Sequence, residues 1–155
     1  MTLPIRKHPR LKNYDYSQCG CYHLTICVKN RRPILSKIIP TDSVSGRPVV
    51  QLFAAGRITE HYIQNIPTVY SGVAVDKYVI MPNHVHLLIS LSMETDVSVY
   101  TIVRSLKRMI NRELGENIWQ ESFYDCVISS EALYRCEWRY IDENPDKWLQ
   151  DELYL

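Results

Sequence analysis

The sequence predicts an α+β domain, an antiparallel sheet with helices packed on one face. Two largely apolar runs, residues 69–81 and 84–91, flank a Pro82-Asn83 turn and read as an antiparallel hairpin. Two other segments carry apolar residues at helical spacing, with strand-like runs before and after them. Adjacent hairpin strands interleaved with helices point to an antiparallel sheet rather than a parallel one. The chain has 155 residues, 46% apolar and 23% charged, which suits one compact domain able to bury a core unaided.

Residues 1–18 are basic, polar and aromatic and are expected to form an arm, leaving residues 19–155 as a single domain. Residues 22–29, YHLTICVK, are rich in β-branched and aromatic side chains and predict the first strand. Residues 30–48 contain Pro33, Pro40, Gly46 and Pro48 and read as a loop before a short strand at 49–52. Ile58, Tyr62, Ile63 and Ile66 form one helical stripe, which Pro67 stops. After the hairpin, Val99, Ile102, Val103, Leu106, Ile110 and Leu114 predict a second helix, ended by Gly115. Its other face carries Arg104, Lys107, Arg108 and Arg112. Residues 118–128 read as a strand or strand pair. Ser129 or Ser130 can cap a last helix over 131–143, which breaks at Asn144-Pro145. The order strand, helix, two strands, helix, strand, helix points to a ferredoxin-like or RRM-like sandwich.

Composition excludes several classes. No apolar run approaches the ~18 residues of a membrane span. The N-terminus lacks the apolar core of a signal peptide, so a cytoplasmic protein is expected. The five cysteines are odd in number and lack zinc-like spacing. Reduced thiols are therefore expected, in preference to a zinc site shared by Cys19, Cys21 and His23. The net charge of +1 conceals a polarity. Within residues 1–32, Arg6, Lys7, Arg10, Lys12, Lys29, Arg31 and Arg32 face Asp15 alone, whereas residues 116–155 hold ten acids against Arg135, Arg139 and Lys147. Arg6, Lys7, Arg10 and Lys12 can follow a nucleic-acid backbone or enter a groove, or equally form a solvated tail. Tyr14, Tyr16, Phe123 and Tyr124 are candidate platforms for stacked bases, with core packing the alternative for each and the expected one for Phe123.

His84 and His86 form the chemical centre. Alternate strand residues share a face, so both imidazoles point one way while Val85 and Leu87 point the other. Paired imidazoles can bind one divalent metal, but a third ligand must come from elsewhere. Tyr140 and Asn144 stack on one helical face, where Asn144 can present a carboxamide oxygen. Spacing alone leaves plain alternatives open. The histidines can be solvated on an exposed sheet, Asn144 can end its helix, and Tyr140 can simply pack.

The strings YVIMPNHVHLLISL, WQESFYD and YIDENPDKW, in that order, together with RLKNYDYSQ and YHLTICVKNRR near the N-terminus, resemble the small HUH (His-hydrophobic-His) single-tyrosine transposases. The resemblance covers about residues 10–150 and is closest to the REP-associated tyrosine transposases, or RAYTs. It implies an enzyme that cleaves and rejoins single-stranded DNA at hairpin-flanked sites through a 5′-phosphotyrosine. In that role Tyr140 is the nucleophile, and His84, His86 and Asn144 are the ligands of Mg²⁺ or Mn²⁺. Trp119 and Gln120 match the WQ element, near DNA contacts or supporting a helix, and Lys77 with Arg104, Lys107, Arg108 and Arg112 would touch phosphates. The partner implied is a single strand carrying a REP-like palindrome, bound by a monomer in preference to a homodimer. Two other classes compete. A non-catalytic RRM-like module would bind single strands without cutting them. A histidine-triad nucleotide hydrolase would need a third histidine where Leu88 stands.

Overall fold

The structure, a computed structural model, describes residues 19–41 and 46–150. Arg6, Lys7, Arg10, Lys12, Tyr14 and Tyr16 lie outside the described residues. The elements are β1 (Gly20–Cys27), β2 (Ser36–Ile39), β3 (Val49–Leu52), α1 (Ala54–Gln64), α2 (Ile66–Val69), β4 (Val73–Ile80), β5 (His84–Leu91), α3 (Val99–Leu114), β6 (Tyr124–Ile128) and α4 (Glu131–Asp142). Four strands form an antiparallel sheet in the order β4-β5-β1-β6. The expected α+β architecture is present. No helix among the described residues is long and apolar enough to cross a membrane.

The sheet's two faces follow from the period-two pattern. Tyr22, Leu24 and Ile26 of β1 and Val85, Leu87, Ile89 and Leu91 of β5 point to one side. There they bury against Ile63 and Ile66 and the stripe Val99, Ile102, Val103, Leu106 and Ile110 of α3. α1 and α3 thus cover one face, but the expectation that all the helices share that face fails for the last one, because the polar His84 and His86 face of the sheet is itself covered. The last helix, α4, lies on the opposite face against β4, β5 and β6. A helix over each face explains why β5 is buried almost throughout, its polar His84 and His86 included.

Local chemistry sets the element ends. Ser98 Oγ accepts from the Thr101 amide at 3.1 Å, and Gly115 ends α3 in the left-handed region at φ 77°. Of the two candidate caps for α4 it is Ser130 that serves, accepting from the Leu133 amide at 3.1 Å. The helix expected to run to Pro67 ends earlier, at Gln64, and Pro67 belongs to the next helix. It sits in the first turn of the short α2, where its missing N–H costs nothing. The expected loop at 30–48 also contains more order, because β2 pairs with β3 as a two-stranded ribbon. Ser36 Oγ ties that ribbon to the sheet by donating to the Ile80 carbonyl at 2.9 Å. Residues 118–128 supply one strand, β6, preceded by a single bridge between Val28 and Trp119.

One irregularity positions the site. A register shift between Val75 and Lys77 inserts Asp76 as an extra residue in β4. Without it, Asp76 and Lys77 would point to opposite faces. With it, the Asp76 carboxylate reaches Ser90 and Tyr134, while Lys77 reaches Asp142, both on the α4 side.

Candidate active site

The two histidines sit at the centre of the α4 face, 0% and 1% exposed. Their rings meet edge to face with centroids 4.8 Å apart. Burial holds both pKa values down, His84 to about 3 and His86 well below its ordinary value. Both rings are therefore neutral at physiological pH and each keeps one nitrogen lone pair. His84 Nδ1 donates to Asn83 Oδ1 at 2.7 Å, which leaves Nε2 as the bare nitrogen. His86 Nδ1 lies 3.1 Å from Thr25 Oγ1 and 3.0 Å from His23 Nε2, and again Nε2 is bare.

Tyr140 and Asn144 arrive from α4 and the turn after it. The Tyr140 ring packs edge-on to His86, with centroids 5.3 Å apart, and lies 6.0 Å from His23. Asn144 is buried, and its Nδ2 donates back to the Tyr140 carbonyl at 3.5 Å. That contact selects the amide's orientation and leaves Oδ1 without a hydrogen-bond partner. Asn144 also lies beside His84 and opposes its pKa depression weakly, without a well-formed bond to the ring. Trp148, from the turn Pro145–Gln150, closes the far side over His84 with centroids 6.2 Å apart. The four residues singled out in the sequence are thus brought together, and the donor atoms left over are His84 Nε2, His86 Nε2 and Asn144 Oδ1. Two imidazole nitrogens and an amide oxygen fit a hard or borderline divalent cation. With an amide as third member, no group of three His, Cys, Asp or Glu is needed, and none is gathered among the described residues.

The tyrosine helix is fastened to its own sheet along its length. Tyr134 donates to Asp76 at 3.0 Å, Glu137 accepts from His23, and Lys77 binds Asp142 at 2.8 Å while its ammonium lies 4.2 Å from the Trp138 ring centre. Arg47 reaches both Asp142 and Asp146, at 3.3 Å and 3.0 Å. Lys77 holds the Asp142 pKa below its ordinary value, chiefly through that hydrogen bond. Tyr134 is affected in the opposite sense. Desolvation and the Asp76 carboxylate push its pKa up to about 12, so its hydroxyl is held as a donor and is a poor nucleophile.

Residues 16–144 match the family described as "Transposase IS200 like". The chain belongs to the IS200-like transposases. A Haemophilus influenzae protein of uncharacterised function is 30% identical over 97% of this chain and 93% of its own. The solved structure of a REP-associated tyrosine transposase bound to a REP hairpin superposes with a TM-score of 0.69, at 23% identity over 89% of this chain and 73% of that one. A Deinococcus radiodurans protein assigned to the transposases gives a TM-score of 0.50, at 20% identity over 86% of this chain and 97% of that one. These likenesses to solved structures extend the agreement in fold.

In this IS200-like transposase the basic residues divide into two sets. Arg104, Arg108 and Arg112 are exposed on the outer face of α3, and none is ion-paired with a described residue. They line a groove of about 810 Å³ shared with residues 115–117 and 119–123. Lys107 lies in the same groove but turns inward. Its ammonium donates to the carbonyls of Gln120 at 2.7 Å and Ser122 at 3.0 Å, so it shapes the loop. Trp119 is buried in the core and supports that loop from beneath, while the Gln120 amide bonds the Cys27 carbonyl at 2.9 Å. Lys77 is likewise committed to α4. Phe123 is buried, whereas Tyr124 pairs with Thr25 in register and is only partly covered. The groove lies on the α3 side of the sheet and the histidines on the α4 side. Residues 118–120 connect the two at the strand end where Cys27 pairs with His84.

Sequence reasoning missed His23, Thr25, Glu137 and Asn83 as parts of the site. A faint signal existed: His23 and Thr25 are the polar positions of an otherwise apolar first strand, at the same spacing as the histidine pair. The five cysteines are free thiols, and His23 turns to Glu137 and His86.

Proposed function

We propose that this transposase cleaves and rejoins single-stranded DNA at hairpin-flanked sites. Tyr140 is the nucleophile, and His84, His86 and Asn144 hold Mg²⁺ or Mn²⁺. One observation carries the reading: three buried polar atoms, His84 Nε2, His86 Nε2 and Asn144 Oδ1, are left without partners, and the Tyr140 ring packs against the second of these histidines. An unsatisfied buried polar atom costs about 1–3 kcal/mol, so a cluster of three is costly to keep unless a ligand satisfies it.

His84, His86 and Asn144 would hold the divalent cation, and the chemistry it would supply is Lewis-acid polarisation of the scissile phosphate. The remaining work belongs to the chain. Asn83, Thr25 and His23 hold the two imidazoles in orientation, and the contact to the Tyr140 carbonyl aims the Asn144 oxygen. The attachments of α4 hold Tyr140 beside His86. In-line attack forms the Tyr140 Oη–P bond and breaks the P–O3′ bond, releasing a 3′-hydroxyl. A phosphate ester replaces a phosphate ester, so the strand can be rejoined without ATP. The solved relative bound to a REP hairpin supports hairpin DNA as the substrate. The exposed arginines of α3 suit its backbone. The fastening of α4 to its own sheet supports a site complete within one monomer.

The test is incubation of a labelled single-stranded hairpin with Mn²⁺, followed by a denaturing gel. A covalent adduct is expected from the parent chain and none from Tyr140→Phe. An adduct that survives Tyr140→Phe overturns the assignment. Binding without any adduct favours a non-catalytic single-strand module.

A further inference from the structure

Beyond the ligands, a hydrogen-bonded chain runs from α4 through β1 to β5. Glu137 Oε2 contacts His23 Nδ1, and His23 Nε2 lies 3.0 Å from His86 Nδ1. His23 is 7% exposed and His86 1% exposed, so water reaches neither ring freely. The carboxylate can only accept, so the proton of a neutral His23 sits on Nδ1. Its Nε2 then accepts, and the shared proton belongs to His86 Nδ1. The opposite direction would bury an Nε2–H of His86 with no acceptor.

We propose that Glu137 and His23 are positioning residues that lock His86 in the Nδ1–H tautomer, so that its Nε2 lone pair faces the cation. This rests on the metal reading above and deepens it. The same chain couples the cation site to the nucleophile, because Glu137 lies one helical turn before Tyr140 on α4. His84 reaches the same tautomer differently, through its own neighbour Asn83. The two ligands are thus oriented independently: one within a turn, the other across three elements. Docking of the tyrosine helix completes the second ligand.

The test is a Mn²⁺ titration of the full chain, followed by electron paramagnetic resonance of the free ion, with a thermal melt of each variant. His84→Ala should abolish binding. His23→Ala and Glu137→Ala should each weaken it by about 10- to 100-fold while still melting cooperatively. Glu137→Gln, which keeps an acceptor oxygen, should recover most of the loss. Parent-like binding in His23→Ala and Glu137→Ala, with His84→Ala still abolishing it, overturns the relay and leaves the metal reading intact. Parent-like binding in His84→Ala overturns the metal site and the relay together. A second measurement needs no variant. Ring ¹⁵N spectra of the metal-free parent should show His86 protonated at Nδ1, and protonation at Nε2 refutes the proposal.

Discussion

Acidification should destabilise the metal-free protein well before its carboxylates titrate. The perturbation is a change from pH 7 to pH 5, and the cause is the burial of His84 and His86 as neutral rings. In the unfolded chain both rings regain an ordinary pKa of 6.5. The folded values are depressed, so below 6.5 the unfolded state binds protons that the native state refuses. Stability contributed by the neutral rings is therefore complete above 6.5 and is lost progressively as the pH falls toward the depressed native values, about 3 for His84. For any native pKa well below 5, the loss between pH 7 and pH 5 is about 2 kcal/mol per ring, or roughly 4 kcal/mol for the pair. That result does not depend on how far each pKa is depressed. Asp142, whose pKa lies below its ordinary 3.8, adds nothing in this window. The assay is urea unfolding in the presence of EDTA at the two pH values. His84→Gln, which cannot titrate, should roughly halve the loss. A fall of less than about 1 kcal/mol in the parent chain would show that the rings are not buried neutral.

Three further outcomes follow from the geometry. Tyr134→Phe should leave adduct formation intact while costing about 1 kcal/mol of stability, measured by denaturant unfolding, because it removes only the hydroxyl bonded to Asp76. Replacing Arg104, Arg108 and Arg112 together with alanine should reduce the slope of log affinity against log salt by about 2–3 for a hairpin substrate, leaving single-turnover cleavage at saturating DNA unchanged. Gly56→Ala should destabilise by about 2 kcal/mol or more and lower the melting temperature, since an added Cβ would lie 2.0 Å from the Leu35 carbonyl oxygen.

The charge distribution illustrates how far a linear reading goes. The acidic excess near the C-terminus is visible in the sequence and looks hostile to DNA. In the fold much of it is engaged. Asp142 and Asp146 hold Arg47, Asp142 also holds Lys77, Glu137 meets His23, and Glu143 lies 3.4 Å from Lys147. The basic face of α3 is equally visible as a helical stripe. That Lys107 leaves this stripe to bind the loop carbonyls depends on where residues 120–122 return, which no periodicity encodes.

The sequence by itself determined what local geometry dictates. Period two places His84 and His86 on one face, helical spacing puts Asn144 one turn beyond Tyr140, and Pro, Gly and Ser mark the element ends. These are properties of neighbours within about four residues, and they follow from backbone periodicity alone. Tertiary structure alone decided which face received α4, that Asp76 is bulged so that Lys77 faces the site, and that the arginine-lined groove and the histidines lie on opposite sides of the sheet. It also brought His23 to Glu137 across 114 positions and to His86 across 63. Such contacts depend on strand order, register and the packing of distant elements. Hydrophobic burial selects these for the molecule as a whole, and no short window of sequence contains them.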